Sequence, residues 1–339
     1  MNHKLEKINK LLGLDGSLLE PGWATRLLHE YSPFDVKTDP IRIKEWDYYV
    51  IVDDDFAFST VISDNRYLGL ATASFFDFKE HKKYSYSVPV VLPMGKMHMP
   101  STSEKGDIYY RNKRCKLSFI HEKGGRRLTG HYFATPNKSA LDFDIFLESN
   151  KTDDTMVIAT PWEEDKTAFY YNQKINCMPA KGYIKIGDKK FDITPEKHFG
   201  TLDWGRGVWP FECTWYWGSG NGYIDGKRFG FNIGYGFGNT TRATENMIFY
   251  DGKCHKLDKI YFDIPENIMQ PWGFLSSDGR FNMRFVPVYD NSSHVSAFLL
   301  SRSAHQVFGK MSGSAVLDDG TVLKIKDLTV FAEKVMNRN

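Results

Sequence analysis

Residues 196–217 concentrate side chains that could do chemistry: Glu-Lys-His-Phe-Gly-Thr-Leu-Asp-Trp-Gly-Arg-Gly-Val-Trp-Pro-Phe-Glu-Cys-Thr-Trp-Tyr-Trp. Four of the chain's 8 tryptophans (Trp204, Trp209, Trp215, Trp217) are interleaved there with His198, Asp203, Arg206 and Glu212. A carboxyl held against indole rings is desolvated, which raises its pKa and suits it to act as a general acid. A neighbouring histidine can hold or relay the proton near neutral pH. Indole faces can stabilise a cationic transition state or stack on a sugar ring. Asp203 is thus the candidate acid, His198 its partner, Arg206 a charge stabiliser and the tryptophans a cavity wall. The same residues also have a purely architectural reading. Trp215 and Trp217 alternate as strand residues do and can fill a barrel interior. Asp203 and Arg206 can form an ion pair that fixes the Gly205–Gly207 turn.

A second polar stretch, Asn239-Thr240-Thr241-Arg242-Ala243-Thr244-Glu245-Asn246, lies between two hairpin patterns. It offers Glu245 as a second carboxyl and Asn246 as a ligand contact, and Asn232 on the preceding strand can point into the same cavity. An ordinary solvated loop would read the same way. Gln306 and Glu333 belong to the C-terminal strands, where a surface position is the simpler expectation.

Several common sites are absent. There is no G-x-x-x-x-G-K-[ST] and no G-x-G-x-x-G between a strand and a helix. The nucleophile-elbow pattern G-x-S-x-G is missing. The 10 histidines form no H-x-H, H-E-x-x-H or zinc-spaced Cys/His cluster, so no metal and no cofactor are expected. The 44 Lys+Arg against 42 Asp+Glu leave a formal +2, without the basic surplus of a nucleic-acid protein. The expected partner is instead a small, largely apolar molecule.

The chain has 339 residues, 41% hydrophobic and 15% aromatic, which excludes disorder as the main state. The charged N-terminus MNHKLEKINKLLGLDG lacks the apolar core of a signal peptide. No run approaches the roughly 20 apolar residues that span a bilayer. Four dispersed cysteines without a C-x-x-C pair then suggest reduced thiols and a cytoplasmic protein.

The elements that must position these residues are strands. Leu5, Ile8, Leu11 and Leu12 recur at helical spacing, and Ala24 to Glu30 suggests a second short helix, so a helical segment is expected over 1–40. From Ile41 the pattern is β. Asp-Gly pairs between apolar runs, at 225–226, 251–252, 278–279 and 319–320, mark hairpins. The expected fold is mainly β: two antiparallel barrels or sandwiches, a first over 41–195 and a second over 196–339. Gly182 through Ile193 to Phe199 has a weak counterpart in Gly313 through Ile325 to Phe331, each followed by an acid, Asp203 or Glu333. Two related units or two chance hairpins would both produce it.

The run Tyr170-Tyr171-Asn172-Gln173-Lys174-Ile175-Asn176-Cys177-Met178-Pro179, with Leu202-Asp203-Trp204-Gly205-Arg206-Gly207-Val208-Trp209-Pro210, resembles the bacterial domain-of-unknown-function family 2804. Arg42–Trp46, Thr244-Glu245-Asn246, Phe308–Gly313, Asp319-Gly320 and Phe331-Ala332-Glu333 fit it as well. The resemblance implies a pair of lipocalin-like barrels with a ligand cavity. It also implies distant kinship with carotenoid hydratases, tocopherol cyclases and fungal Diels–Alderases, which work on hydrophobic substrates through acid groups and aromatics without redox cofactors. The hydratase block Asp-His-x-Trp-Gly is matched here only by Asp203, Trp204 and Gly205, with the histidine displaced to His198. The leading functional expectation is a cofactor-independent hydratase- or cyclase-like enzyme. The alternatives are a non-catalytic lipid or isoprenoid carrier, and a carbohydrate-active enzyme using two carboxylates such as Asp203 and Glu245.

Overall fold

The computed structural model describes residues 2–297 and 300–338. It is mainly β, with two curled antiparallel half-barrel sheets packed against each other. From edge to edge the first sheet runs Lys82–Val91, Leu68–Asp77, Phe56–Asp64, Ile43–Val52, Phe199–Val208, Phe169–Ile186, Leu141–Glu148, Gly125–Tyr132, Cys115–Glu122, Ile108–Arg111. The second runs Lys253–Lys256, Met247–Tyr250, Lys227–Tyr235, Glu212–Ile224, Val322–Arg338, Leu300–Val316, Phe281–Ala297, Trp272–Ser276, Ile260–Asp263. Each has its own apolar core on its concave side, one built around Phe58, Phe75, Phe143 and Trp204, the other around Phe231, Trp272 and Phe285. Among the described residues no helix is long and apolar enough to cross a membrane.

The helical segment expected over 1–40 is not there. Leu5, Leu11 and Leu12 are buried, but Ile8 is 74% exposed, so their spacing does not define one inward face. A short helix is marginal on its own in water, and here the backbone finds better partners. Leu5 N donates to Trp23 O at 2.8 Å and Leu11 N to Glu30 O at 3.0 Å. Where the second helix was expected to begin, Gly22–Ala24 is a short strand on Met156–Pro161, and His29–Glu30 at its end is another. Among the described residues the only helical turns are single 3₁₀ turns, at Pro33–Asp35 and Pro40–Arg42.

The hairpins follow their turn residues. At Asp225-Gly226 and Asp251-Gly252 both residues have positive φ, as a type I′ turn requires, and each closes a two-residue loop. At 278–279 and 319–320 only the glycine does, and the loops are longer. The strand Phe199–Val208 closes the first sheet between Ile43–Val52 and Phe169–Ile186. The change of sheet therefore falls between Val208 and Glu212, whereas the sequence patterning put it at 195/196.

The two sheets share one strand order, and the paired hairpins seen in the sequence occupy the same place in each. The equivalence extends to register. Lys174 pairs with Asp203 and Asp203 with Tyr48; in the second sheet Gln306 pairs with Glu333 and Glu333 with Trp217. The bulge between Ile175 and Met178 accounts for the one extra residue between Lys174 and Gly182 relative to Gln306 and Gly313. Gly182 and Gly313 have φ of 141° and 154°, and a Cβ at either would press into a carbonyl oxygen of the neighbouring strand, Asp144 or Asn282. Only glycine is at ease there. Gly182→Ala is expected to cost about 2–4 kcal/mol in urea unfolding, through strain at a special backbone position. A loss below about 0.5 kcal/mol would show the strand can slide at no cost.

Candidate functional site

Alternation along Phe199–Val208 decides which candidate residues meet. Leu202, Trp204 and Val208 enter the first sheet's core, while Asp203 points the other way, into the seam between the sheets. Arg206, an odd number of residues from Asp203, is on the core side. It is fully buried and donates to Asp47 Oδ1 at 3.0 Å, Trp46 O at 2.8 Å and Pro100 O at 2.7 Å, with its guanidinium 4.3 Å from the Trp204 ring centre. Arg206 and Trp204 are thus not beside Asp203. His198 is not either: its Nε2 is 3.3 Å from Asp53, its Nδ1 takes Thr194 N–H, and its ring stacks on Phe56. In place of a turn at Gly205–Gly207 there is a buried central strand; Gly205 keeps its seam face bare so that the Trp46 indole can lie against it.

Asp203 meets residues from both sheets. Its Oδ1 accepts from Lys174 Nζ at 2.7 Å and Asn172 Nδ2 at 2.6 Å. The Lys174 ammonium is 4.1 Å from the Trp217 ring centre, across the seam. Trp217 Nε1 donates to Asn232 Oδ1 at 2.7 Å, and Asn232 Nδ2 donates to Glu245 O at 2.8 Å and Glu245 Oε2 at 3.2 Å. Asn246 Oδ1 accepts from Gly234 N, which pins the turn that presents Glu245. Lys256 secures the same turn through Thr244 Oγ1 (2.5 Å), Asn246 O (2.9 Å) and Leu257 O (2.7 Å); burial lowers its pKa to about 7. Asp203, Glu245, Trp217, Asn232 and Asn246 therefore converge.

Glu245 is the chemically distinctive group. It is 3% exposed and has no ion-pair partner within 4 Å among the described residues. Desolvation raises its pKa, against the pull of Lys174 and the Asn232 amide. Tyr170 lies beside it; burial, then the Glu245 and Asp203 charges, hold its phenol well above the ordinary range. The Tyr170 hydroxyl and Asn172 Oδ1 both lack a partner among the described residues. One donor and one acceptor thus stand open beside the two carboxyls. Outward from Tyr170 runs an aromatic wall: Phe237 stacked at 4.4 Å, Trp46 at 6.3 Å, then Trp209 and Trp215 at 5.3 and 5.1 Å from Phe237. Trp46, Trp209 and Trp215 are only half-buried, so the wall reaches solvent.

On the other side of the seam the second unit's equivalents meet the first unit. Gln306 Nε2 donates to Glu333 Oε1 at 2.7 Å and to Tyr48 Oη at 3.0 Å, and Tyr48 packs edge-on to Trp217. Gln306 and Glu333, expected at the surface near the terminus, are half-buried within this network. Lys174, Asn172 and Tyr170 were missed as site residues. The signal was their period of two with Asn176, four polar or amphipathic side chains on one face of a central strand.

The chain belongs to the family of domain-of-unknown-function proteins DUF2804, whose model matches residues 2–339. Among solved structures it is similar to kievitone hydratase from Nectria haematococca (12% identity, 86% of this chain and 88% of that one, TM-score 0.48). It is also similar to CghA (9% identity, 98% and 97%, TM-score 0.47). No curated protein matches.

Two predictions follow from the seam. Removing one partner of the buried Lys174–Asp203 pair leaves an uncompensated charge, so Lys174→Met should cost about 3–5 kcal/mol in urea unfolding, and Lys174→Met/Asp203→Leu should recover most of it. Glu245 titrates above its ordinary 4.5 in the folded state, so the folded protein holds that proton when the unfolded chain has released it. Its contribution to stability is complete below about pH 4.5 and is lost as pH rises through the raised value. Glu245→Gln should remove that fall; identical pH profiles for the two proteins would exclude the raised carboxyl.

Proposed function

We propose that the seam is the reaction centre of a cofactor-independent acid–base enzyme, hydratase- or cyclase-like, acting on a bulky and largely apolar molecule. The observation that carries this reading is Glu245: a desolvated carboxyl held by one amide, facing an unpartnered tyrosine and a carboxylate–ammonium pair. Desolvation raises the Glu245 pKa, so this carboxyl keeps a proton to higher pH than an exposed one and can donate it. Protonation of a carbon–carbon double bond by Glu245 leaves positive charge on the substrate, which the faces of Tyr170, Phe237 and Trp46 stabilise. The cation then takes either water or an internal nucleophile. The proton released in that step passes to the Asp203 carboxylate, whose neighbours Lys174 and Asn172 fix its orientation. Return of a proton to Glu245 closes the cycle, with one water consumed in hydration and none in cyclisation.

The apolar substrate enters over Trp209 and Trp215 and lies along the aromatic wall, so binding and chemistry are separable. Polyenes and prenylated phenols incubated with the purified protein should yield products heavier by one water, or isomers of unchanged mass. Glu245→Gln and Asp203→Asn should each lower turnover about 10²–10⁴-fold, the range for lost general acid–base catalysis, while native mass spectrometry still detects the bound ligand. Turnover by Glu245→Gln at the parent rate would sink the assignment. Ligand retained by the parent protein without turnover of any kind would make it a carrier.

A further inference from the structure

The concave side of the first sheet holds a second set of buried charges, separate from the seam. Arg66 is 3.0 Å from Glu45 and 3.7 Å from Asp64, and Arg206 takes Asp47. Arg126 takes no carboxylate among the described residues, although it is only 6% exposed. Its guanidinium hydrogen-bonds the neutral Tyr49 hydroxyl, which returns only part of the hydration that burial strips from it.

What surrounds Arg126 sharpens the point. Its Nη1 is 3.4 Å from His121 Nε2, but that nitrogen is 2.8 Å from the Ser103 carbonyl oxygen. A carbonyl only accepts, so His121 Nε2 carries a proton and offers Arg126 a donor instead of an acceptor. Among the described residues Arg126 Nε has no partner, and Trp204 Nε1 on the same concave face has none. The Tyr49 phenol lies against the guanidinium; burial pushes its pKa up to about 12, so it keeps a proton of its own to donate. The surplus at this place is of donors.

The segment 92–107 closes over this region. Met97 N donates to Asp64 Oδ2, Pro100 O accepts from Arg206, and Ser103 bridges His121 and Gln173. Leu92, Met94 and His98 have φ near +50°, a conformation that side-chain-bearing residues seldom adopt and that persists only where surrounding contacts enforce it.

We propose that the first half-barrel holds a monovalent anion, a halide or the carboxylate of an organic acid, against the Arg126 guanidinium beneath the segment 92–107. The site supplies Arg126 Nε–H and the Tyr49 hydroxyl as donors in a desolvated setting, where charge-assisted hydrogen bonds are strongest. The proposal does not depend on the seam being catalytic.

The test is thermal unfolding of the full chain in sulfate buffer at constant ionic strength, titrated with sodium bromide or sodium octanoate. The parent protein should gain Tm with saturation, as a ligand bound to the folded state requires, and Arg126→Met should show no such gain. Response to both anions makes it a general monovalent-anion site; response to octanoate alone makes the ligand an organic carboxylate. Bromide-soaked crystals of the parent give an answer that does not rely on the variant's folding: an anomalous peak beside Arg126 supports the site. Equal responses in parent and variant, or neither a response in the parent nor a peak beside Arg126, would overturn it.

Discussion

The ion pair between Lys174 and Asp203 is the interaction around which the two sheets are organised. Both partners sit on central strands of the first sheet, on the face that meets the second. Desolvating two charges is affordable only when geometry and further hydrogen bonds compensate, and the neighbours supply both. Asn172 bonds the same carboxylate oxygen, and the Trp217 indole of the second sheet covers the ammonium. Trp217 is in turn fixed by Asn232, and Asn232 by Glu245. Displacing the pair would therefore disturb the docking of the sheets and the setting of the buried acid together.

The repeat explains why this happens at the middle of the molecule. Asp203 and Glu333 occupy one position in two equivalent sheets, as do Lys174 and Gln306, and Tyr48 and Trp217. Packing the sheets face to face brings each unit's residues against the other's, Lys174 on Trp217 and Gln306 on Tyr48. The two halves differ in charge: an ion pair in the first, an amide–carboxyl hydrogen bond in the second. One nearly symmetric interface thus presents two different polar faces.

The two apolar cores and the polar seam divide the work. Phe, Trp and Leu side chains on the concave faces supply the burial that holds each half-barrel together, about 25 cal/mol for each Å² of apolar surface removed from water. The seam adds direction, because buried hydrogen bonds tolerate little displacement. Asn176 shows this, with its amide reaching Ser219 and Phe231 O of the second sheet at 2.8 and 3.2 Å, from beside the bulge that breaks the strand's register.

Much was legible in the sequence because it depends on local rules. Asp225-Gly226 and Asp251-Gly252 specify hairpins through their own φ preferences, and the apolar–polar alternation of the strands specifies two-sided sheets. Asp203, Glu245, Asn232 and Trp217 were each singled out by residue type, in separate stretches, and it is the packing of the sheets that links them. What needed the tertiary structure was the direction of each side chain and the identity of its neighbours. Asp203, Arg206 and His198 are close in sequence, yet strand alternation separates the first two and Asp53 claims the third. Leu5, Leu11 and Leu12 have helical spacing, but the unpaired backbone beside them offered stronger bonds. Lys174 stands far from Asp203 along the chain and meets it only because two central strands pair in one register. Sequence by itself determined the strands, the turns and the kinds of chemistry available. The packing of one sheet on the other decided which of those groups share a site, since long-range pairing and burial set both contact and protonation.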